Sequence, residues 1–443
     1  MGFTLRYEEL IGGSTAGAER TQFALVCVVC GRSPGRLLAN RCGDCGGAID
    51  AIHPLENVSL AGGENPLQRY FDLLPVRERG NLLWLGDGDT PCFRAEGFGR
   101  RTGIPGLVLK DESANPTRST KDRIASVGLS RFAELGVKRF VMASTGNSST
   151  AYARGVQSVT GFEMALFCGV RFRHRLNYPD HSAVTTYLVE GDFVAAGQAA
   201  RRFAERTGAL SEGGFFNLAR REGLKLAYLE AFDWMADPPD YVFQAVSSGM
   251  GLLGAYKGAL EYLRLGRLAR MPRFVAVQQA SCAPMAHAYR EGAEVIAPRH
   301  VVHDPRGLAE AILRGNPGQT YPYIRYLCRT SGGRILSVGD DEIRGARALL
   351  ADTEGVAVCH ASATALAGAV RMRREGDLPE DAAVLVNLTG GDRTGWPVPT
   401  RCHVVDAEFP TGSVEWSGPP APPAGAAPAG GAGGQEGRDT CVL

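Results

Sequence analysis

Several stretches of this 443-residue chain combine residue types that can do chemistry, and each follows a short apolar run. The first is Lys110-Asp111-Glu112-Ser113-Ala114-Asn115-Pro116-Thr117-Arg118-Ser119-Thr120-Lys121-Asp122-Arg123, after Leu107-Val108-Leu109. Ile124, Gly128, Phe132 and Leu135 then step by four and three, so Lys121 stands at or near a helix start. A cation is unfavourable at the positive end of a helix dipole. The penalty disappears if the amine condenses with a carbonyl cofactor; the bland alternative is a solvated helix residue.

The second stretch, Ala143-Ser144-Thr145-Gly146-Asn147-Ser148-Ser149, follows Phe140-Val141-Met142. Small hydroxylated residues leading into a helix N-terminus offer hydroxyls and backbone N–H groups to a carboxylate. In the third, Ser247-Ser248-Gly249-Met250-Gly251-Leu252-Leu253-Gly254, glycines allow close approach of backbone to phosphate. Gly249, Gly251 and Gly254 also have the spacing of a dinucleotide fingerprint. No convincing first βαβ unit with an acid about 20 positions on accompanies them, and Glu261 comes too early, so a phosphate monoester cradle is the better reading. The fourth, Asn387-Leu388-Thr389-Gly390-Gly391, places a neutral hydroxyl at a strand end, able to bond a pyridine nitrogen without forcing its protonation.

Cys27-Val28-Val29-Cys30-Gly31 and Cys42-Gly43-Asp44-Cys45-Gly46 are two tight knuckles separated by hairpin length. Four thiolates at this spacing match a tetrahedral structural zinc site; a closed shell leaves no open position for catalysis. Of the eleven cysteines the other seven are scattered singly, a pattern suited to a reducing compartment.

These loops need rigid elements behind them. Apolar runs at 107–109, 140–142, 165–167, 187–189, 241–243, 274–277 and 384–386 read as strands covered on both faces. Amphipathic stretches between them, such as Leu224 to Met235, read as helices, and the alternation argues for open parallel α/β sheets. Lys plus Arg number 48 against 47 Asp plus Glu, so no charge surplus points to nucleic acid or a membrane surface; a small-molecule partner fits better. No run approaches the roughly 20 apolar residues that span a bilayer, and a cytoplasmic protein is expected. After about Asp406 the chain becomes a Pro/Gly/Ala stretch too poor in bulky apolar residues to build a core. The terminal Thr440-Cys441-Val442-Leu443 resembles a prenylation box only superficially.

Taken in order, the four loops resemble fold-type II pyridoxal 5'-phosphate (PLP) enzymes, the tryptophan synthase β-like class of two open-sheet domains. In detail they resemble the threonine synthase group. Asn115-Pro116-Thr117-Arg118-Ser119-Thr120-Lys121-Asp122-Arg123 is similar to that group's cofactor-lysine motif, Asn-Pro-Thr-Gly-Ser-Phe-Lys-Asp-Arg. Ala143 to Asn147 is similar to its asparagine loop, and Arg314-Gly315-Asn316-Pro317 and His360-Ala361-Ser362-Ala363 also resemble segments of the group. Glu212-Gly213-Gly214, Asn217 to Gly223 and Phe243 to Gly249 look closest to cysteate synthase, with Tyr70 to Val76 adding weaker support. An N-terminal zinc ribbon precedes the PLP domain in some members. The implied organisation is a ribbon at 21–52, a large PLP-binding domain at 66–125 and 215–405, a smaller α/β domain at 126–214 carrying the asparagine loop, and a disordered tail at 406–443.

The resemblance implies that Lys121 anchors the cofactor and then serves as the base at the substrate α-carbon, with burial lowering its pKa toward working pH. Asn147 would contact the cofactor's 3′ oxygen, Ser248, Gly249, Met250, Gly251 and Leu252 its phosphate, and Thr389 its pyridine nitrogen. Ser144, Thr145, Gly146 and Ser148 would hold the substrate carboxylate. The implied reaction is replacement of the phosphate of O-phospho-L-serine by a small nucleophile such as sulfite. A threonine synthase acting on O-phospho-L-homoserine and water, or a catalytically inactive scaffold of this fold, are the alternatives. A homodimer is inherited from the family. This chain departs from the motif at Arg118, where the group has glycine, at Thr120, and at Met250 and Leu252; Arg118 is a candidate for binding an acidic substrate group.

Overall fold

A computed structural model describes residues 2–12, 22–191, 193–410 and 416. Among these, thirteen strands form three sheets. β1 (Ala24–Cys27) and β2 (Ile49–Ile52) pair antiparallel and carry the cysteine knuckles at their ends. β3 (Cys92–Arg94), β4 (Leu107–Asp111), β5 (Arg139–Ala143), β6 (Glu163–Gly169), β7 (Val184–Val189) and β8 (Leu210–Ser211) follow in the chain. Then come β9 (Tyr241–Ala245), β10 (Arg273–Gln279), β11 (Arg334–Val338), β12 (Val384–Leu388) and β13 (Cys402–Val405).

The larger sheet runs β11-β10-β9-β12-β4-β3, parallel throughout except for the antiparallel edge strand β3. Its central strands β9 and β12 are buried at every position, which is why they read as unbroken apolar runs. The smaller sheet, β13-β7-β6-β5-β8, is parallel throughout. All seven expected strands are present. Strands β3, β8, β11 and β13 carry too weak an apolar pattern to be read from sequence.

Two boundaries depart from expectation. Cys402–Val405 does not end the large domain but pairs with β7 as the edge of the small sheet. His403 and Val404 are exposed there, so no apolar run announces the strand. Nor does the chain lose its packing at 406: Phe409 packs at a tilt against Tyr187, 5.2 Å between ring centroids, and Trp416 against Phe203 at 5.5 Å. The rest of the Pro/Gly/Ala tail, with the Thr440–Leu443 box, lies outside the described residues. No helix among the described residues is long and apolar enough to cross a membrane.

The cysteine hairpin is joined to the large domain through buried charge. Asp50 on β2 accepts from Arg221 Nε at 3.0 Å and from the Tyr7 hydroxyl at 2.5 Å. Lys257 donates to Ala51 O and Glu222, and Lys225 pairs with Glu222 at 2.5 Å and Glu261 at 2.8 Å. With Arg221, Lys225 and Lys257 set against Asp50, Glu222 and Glu261, the cluster is charge-balanced. Balance of this kind is what buried ions require.

Candidate active site

Parallel strands deliver the candidate loops to one side. Lys121 follows β4, Ser144 to Ser148 follow β5, Ser248 to Leu252 follow β9 and Thr389 follows β12, so each lies beyond a strand's carboxyl end. Ligands of open α/β sheets bind at that edge.

Lys121 is the first residue of the Lys121–Glu134 helix, where the sequence places it. Backbone pairing fixes the approach: Thr120 N donates to Thr389 O at 3.0 Å, and Ser119 bridges Gly390. Lys121 is thereby held beside Thr389. The residue is half-buried, yet the protein around its amine holds the pKa down at about 8. Desolvation is the main cause and the Arg220 cation adds to it, while Glu112 and Cys359 oppose. Neighbouring Asp122 is buried, and loss of water raises its carboxyl to about 7 against the hydrogen bonds from Thr117 N and Oγ1, both 2.7 Å.

Gly146 has φ 153° and ψ −94°, a conformation open to glycine, and it turns the chain into the Asn147–Ser158 helix. Asn147 begins that helix, half-buried, with its Oδ1 accepting from Arg393 Nη2. Ser148 Oγ accepts from Arg220 Nη1 at 3.3 Å, which ties this loop to the guanidinium beside Lys121. Ser144 N is bonded to Phe167 O at 3.1 Å and its Oγ accepts from Ser149 N at 3.3 Å; Thr145 is half-buried.

In the third loop Gly249 has φ 81°, and a Cβ there would lie 2.3 Å from Ile324 Cδ1. A Cβ on Gly251 would lie 2.8 Å from the Gln244 side chain, and one on Gly254 2.5 Å from Arg221 O. Gly254 therefore serves helix packing, which accounts for the dinucleotide-like spacing without a dinucleotide. Ser248 is buried, Met250 starts the 15-residue Met250–Arg264 helix, and Leu252 points into the core, leaving its backbone for any ligand.

Arg118 sits at φ 53°, which explains why the related motif has glycine there. Its Nη2 lies 3.4 Å from Ala357 O and its guanidinium covers Gly391. Sequence reasoning missed Arg175, Arg220, Arg393 and Cys359. Arg175, in the basic run Arg171 to Arg175 directly after β6, and Arg393, two residues beyond Gly391, had a signal in their position after strand ends.

The four knuckle sulfurs lie within 4.8 Å of one another, with Cys27 to Cys45 at 3.5 Å and Cys30 to Cys42 at 3.6 Å. Zinc–sulfur bonds of ~2.3 Å in a tetrahedron put the sulfurs about 3.8 Å apart, so the set is compatible with structural zinc. A cavity of about 450 Å³ lined by Glu8, Tyr256, Leu260 and Arg264 contains none of the candidate residues.

The donor set fits pyridoxal phosphate. The desolvated Lys121 follows Thr120, whose buried Oγ1 has no hydrogen-bond partner among the described residues, and a positive-φ glycine opens a long helix nearby in the sheet order. Two parallel sheets meeting around such a lysine define a fold-type II PLP enzyme. The model of the family described as pyridoxal-phosphate dependent enzyme matches residues 83–390, and the chain belongs to that family. It is 30% identical over 358 residues to threonine synthase of Methanocaldococcus jannaschii, covering 78% of this chain and 87% of the relative. It is equally 30% identical over 352 residues to cysteate synthase of Methanococcoides burtonii, covering 76% and 82%. Among solved structures, Escherichia coli threonine synthase superposes with TM-score 0.59 at 15% identity, covering 84% of this chain and 93% of that one. Tomato (Solanum lycopersicum) threonine deaminase isoform 2 gives 0.58 at 18%, covering 76% and 93%. These structural likenesses speak for the fold.

Proposed function

We propose that the chain removes the phosphate of O-phospho-L-serine and places a small nucleophile such as sulfite on the β-carbon, as the name cysteate synthase describes. The observation that carries this reading is the setting of Lys121, a lysine with its pKa lowered to about 8 in a site walled by guanidinium groups. The coarser reaction, PLP-dependent elimination or replacement on a phosphorylated amino acid, is what both named relatives share.

Pyridoxal phosphate bound here supplies an electron sink for the negative charge left at the substrate α-carbon. Lys121 would hold the cofactor and would be the base for the α-proton, since a pKa near 8 leaves a useful share of neutral amine at working pH. Asn147, its Oδ1 engaged by Arg393, has its Nδ2 left to donate to the cofactor's 3′ oxygen. Backbone N–H groups from Ser248 to Leu252, at the start of the Met250–Arg264 helix, suit the cofactor phosphate, and Thr389 the pyridine nitrogen. Ser144, Thr145, Gly146 and Ser148 suit the substrate carboxylate, with Arg118 at the rim. The proposal includes a cytoplasmic homodimer, which size-exclusion chromatography tests.

The deciding experiment supplies the purified, PLP-loaded protein with O-phospho-L-serine plus sulfite, and separately with O-phospho-L-homoserine, and measures released phosphate. Release from the serine compound, with a sulfonate amino acid formed, is the expected result. Release from the homoserine compound alone overturns the reading in favour of threonine synthase chemistry, which the 30% identity to the archaeal threonine synthase supports.

A further inference from the structure

Two arginines outside the related motifs flank the turn that begins the Asn147–Ser158 helix. The Arg175 side chain is 10% exposed. Its Nη1 donates to Glu310 O at 3.1 Å and its Nε lies 3.6 Å from Glu310 Oε2, a carboxylate left largely in water. Its Nη2 makes no hydrogen bond among the described residues and lies 3.1 Å from where a Cβ on Gly146 would stand. On the next residue, Arg393 Nη2 donates to Asn147 Oδ1, and Arg393 Nη1 donates to Thr117 O at 3.2 Å, four residues before Lys121.

The pair is close enough that Arg175, after desolvation, helps hold Arg393 down to about 10. Arg175 and Arg393 thus reach the consecutive residues Gly146 and Asn147, and Arg220, which bears on Lys121, bonds Ser148 one residue further on, so the cations line a single turn. Among the described residues the carboxylates near them are engaged elsewhere or set back: Glu112, which supports Lys121, is held by Arg123, Asp122, which supports Arg393, is held by Thr117, and Glu310 is at the outer side. Packing cations together without a counter-ion is costly, and a ligand bearing two negative charges offsets that cost.

Resting on the reading of Lys121 as the PLP lysine, we propose that Arg175 and Arg393 form an oxyanion subsite. It takes the tetrahedral, doubly charged group of the reaction, either the phosphate on the substrate side chain or a sulfite-class nucleophile. Guanidinium forks match such groups by paired hydrogen bonds, and the open Nη2 of Arg175 is the donor the ligand would meet first. The subsite adjoins the Ser144–Ser148 loop, so an amino acid whose carboxylate occupies that loop presents its side chain to the two guanidinium groups. Neutral amino acids are then selected against, because they leave both cations unpaired.

The test uses Arg175→Gln and Arg393→Gln in the holoenzyme, with Arg393→Lys as the charge-retaining control. Inorganic phosphate binding is measured by calorimetry, and kcat/KM is compared for O-phospho-L-serine and O-acetyl-L-serine, whose side-chain ester carries no charge before it leaves as acetate. The expected result is phosphate binding weakened about tenfold or more in each Gln variant, with kcat/KM falling about tenfold further for the phosphorylated than for the acetylated substrate. Arg393→Lys should restore part of the phosphate affinity. Unchanged phosphate binding with a raised KM for sulfite assigns the same subsite to the nucleophile. Equal losses on both amino acids, with phosphate and sulfite unaffected, overturn the proposal, because the guanidinium groups would then serve only the common carboxylate. Failure of the PLP reading shows itself separately: wild-type protein would take up no cofactor absorbance, while phosphate calorimetry on that protein would still judge the subsite.

Discussion

Arg123, two residues after Lys121, and Glu230 meet through two hydrogen bonds of 2.7 Å, Nη1 to Oε1 and Nη2 to Oε2. Glu112 takes the other edge of the same guanidinium at 2.7 and 2.8 Å, and Lys110 donates to Glu230 at 2.7 Å. Two cations face two anions, all of them buried. The cluster fixes the end of β4 to the Leu218–Trp234 helix and so sets the path of the chain into Lys121. Replacing Arg123 by Met leaves two buried carboxylates against one lysine. Loss of a partner from such a network costs about 3–5 kcal/mol. Urea unfolding of the Arg123→Met variant should show that loss, and a change below about 1 kcal/mol would contradict the role given to the cluster.

The same cluster sets an acid limit. Burial alone would raise Glu230, but Arg123 and Lys110 outweigh it and hold its carboxyl down to about 2. Its folded pKa is thus below its unfolded value of about 4.3. The stabilisation is present above about pH 4.3 and is lost as pH falls toward 2. Asp122, raised to about 7, acts in the opposite sense: its contribution is present below about pH 4 and is lost as pH rises through 7. Stability measured from pH 5 to pH 2 should therefore fall steeply in the wild type and less steeply in Glu230→Gln. Parallel slopes would remove Glu230 from the account.

Strand runs were legible because β4, β5, β6, β9, β10 and β12 are covered on both faces and show it as unbroken apolar residues. Lys121 was legible as a lysine placed against a helix dipole and within a family motif. Arg123, by contrast, reads as a solvated helix residue until Glu230 is brought to it, since local periodicity carries no signal of a counter-ion 107 positions away. Arg175 and Arg393 had only their place after a strand end to mark them, because their partners Gly146 and Asn147 belong to another strand's turn. The edge strand β13 was illegible because a half-exposed Cys-His-Val-Val segment has no core face to announce.

Gly249 combines two constraints that can be separated. Its φ of 81° disfavours any side chain, and a Cβ would lie 2.3 Å from Ile324 Cδ1. Gly249→Ala should destabilise by about 1–3 kcal/mol and weaken PLP retention, because the Met250–Arg264 helix start must shift. Ile324→Ala removes both clashing atoms, Cδ1 at 2.3 Å and Cγ1 at 2.4 Å, so Gly249→Ala should cost less in that background than in the wild type, with the backbone strain remaining. An equal cost in the two backgrounds would place the whole effect on φ.

The four-cysteine hairpin offers the last prediction, because removing a metal held there should reach further than the hairpin itself. Asp50 and the carbonyls of Ile49 and Ala51 on β2 receive the buried side chains of Arg221 and Lys257. Those cations stand on the Leu218–Trp234 and Met250–Arg264 helices, the second of which opens at the proposed phosphate cradle. Unclamping the four sulfurs would let β2 fray and take Asp50, Ile49 O and Ala51 O from Arg221 and Lys257, leaving them only the hydrogen bonds to Phe215 O and Glu222, a cost of several kcal/mol. Chelation should therefore release about one zinc per chain, expose the four knuckle thiols to titration, lower the unfolding temperature and weaken PLP binding together. Asp50→Asn separates the steps, since it should keep its zinc while losing stability through Arg221. If chelated protein releases its metal yet keeps both its unfolding temperature and its cofactor affinity, the ribbon is an appendage and the charge network does not transmit its order.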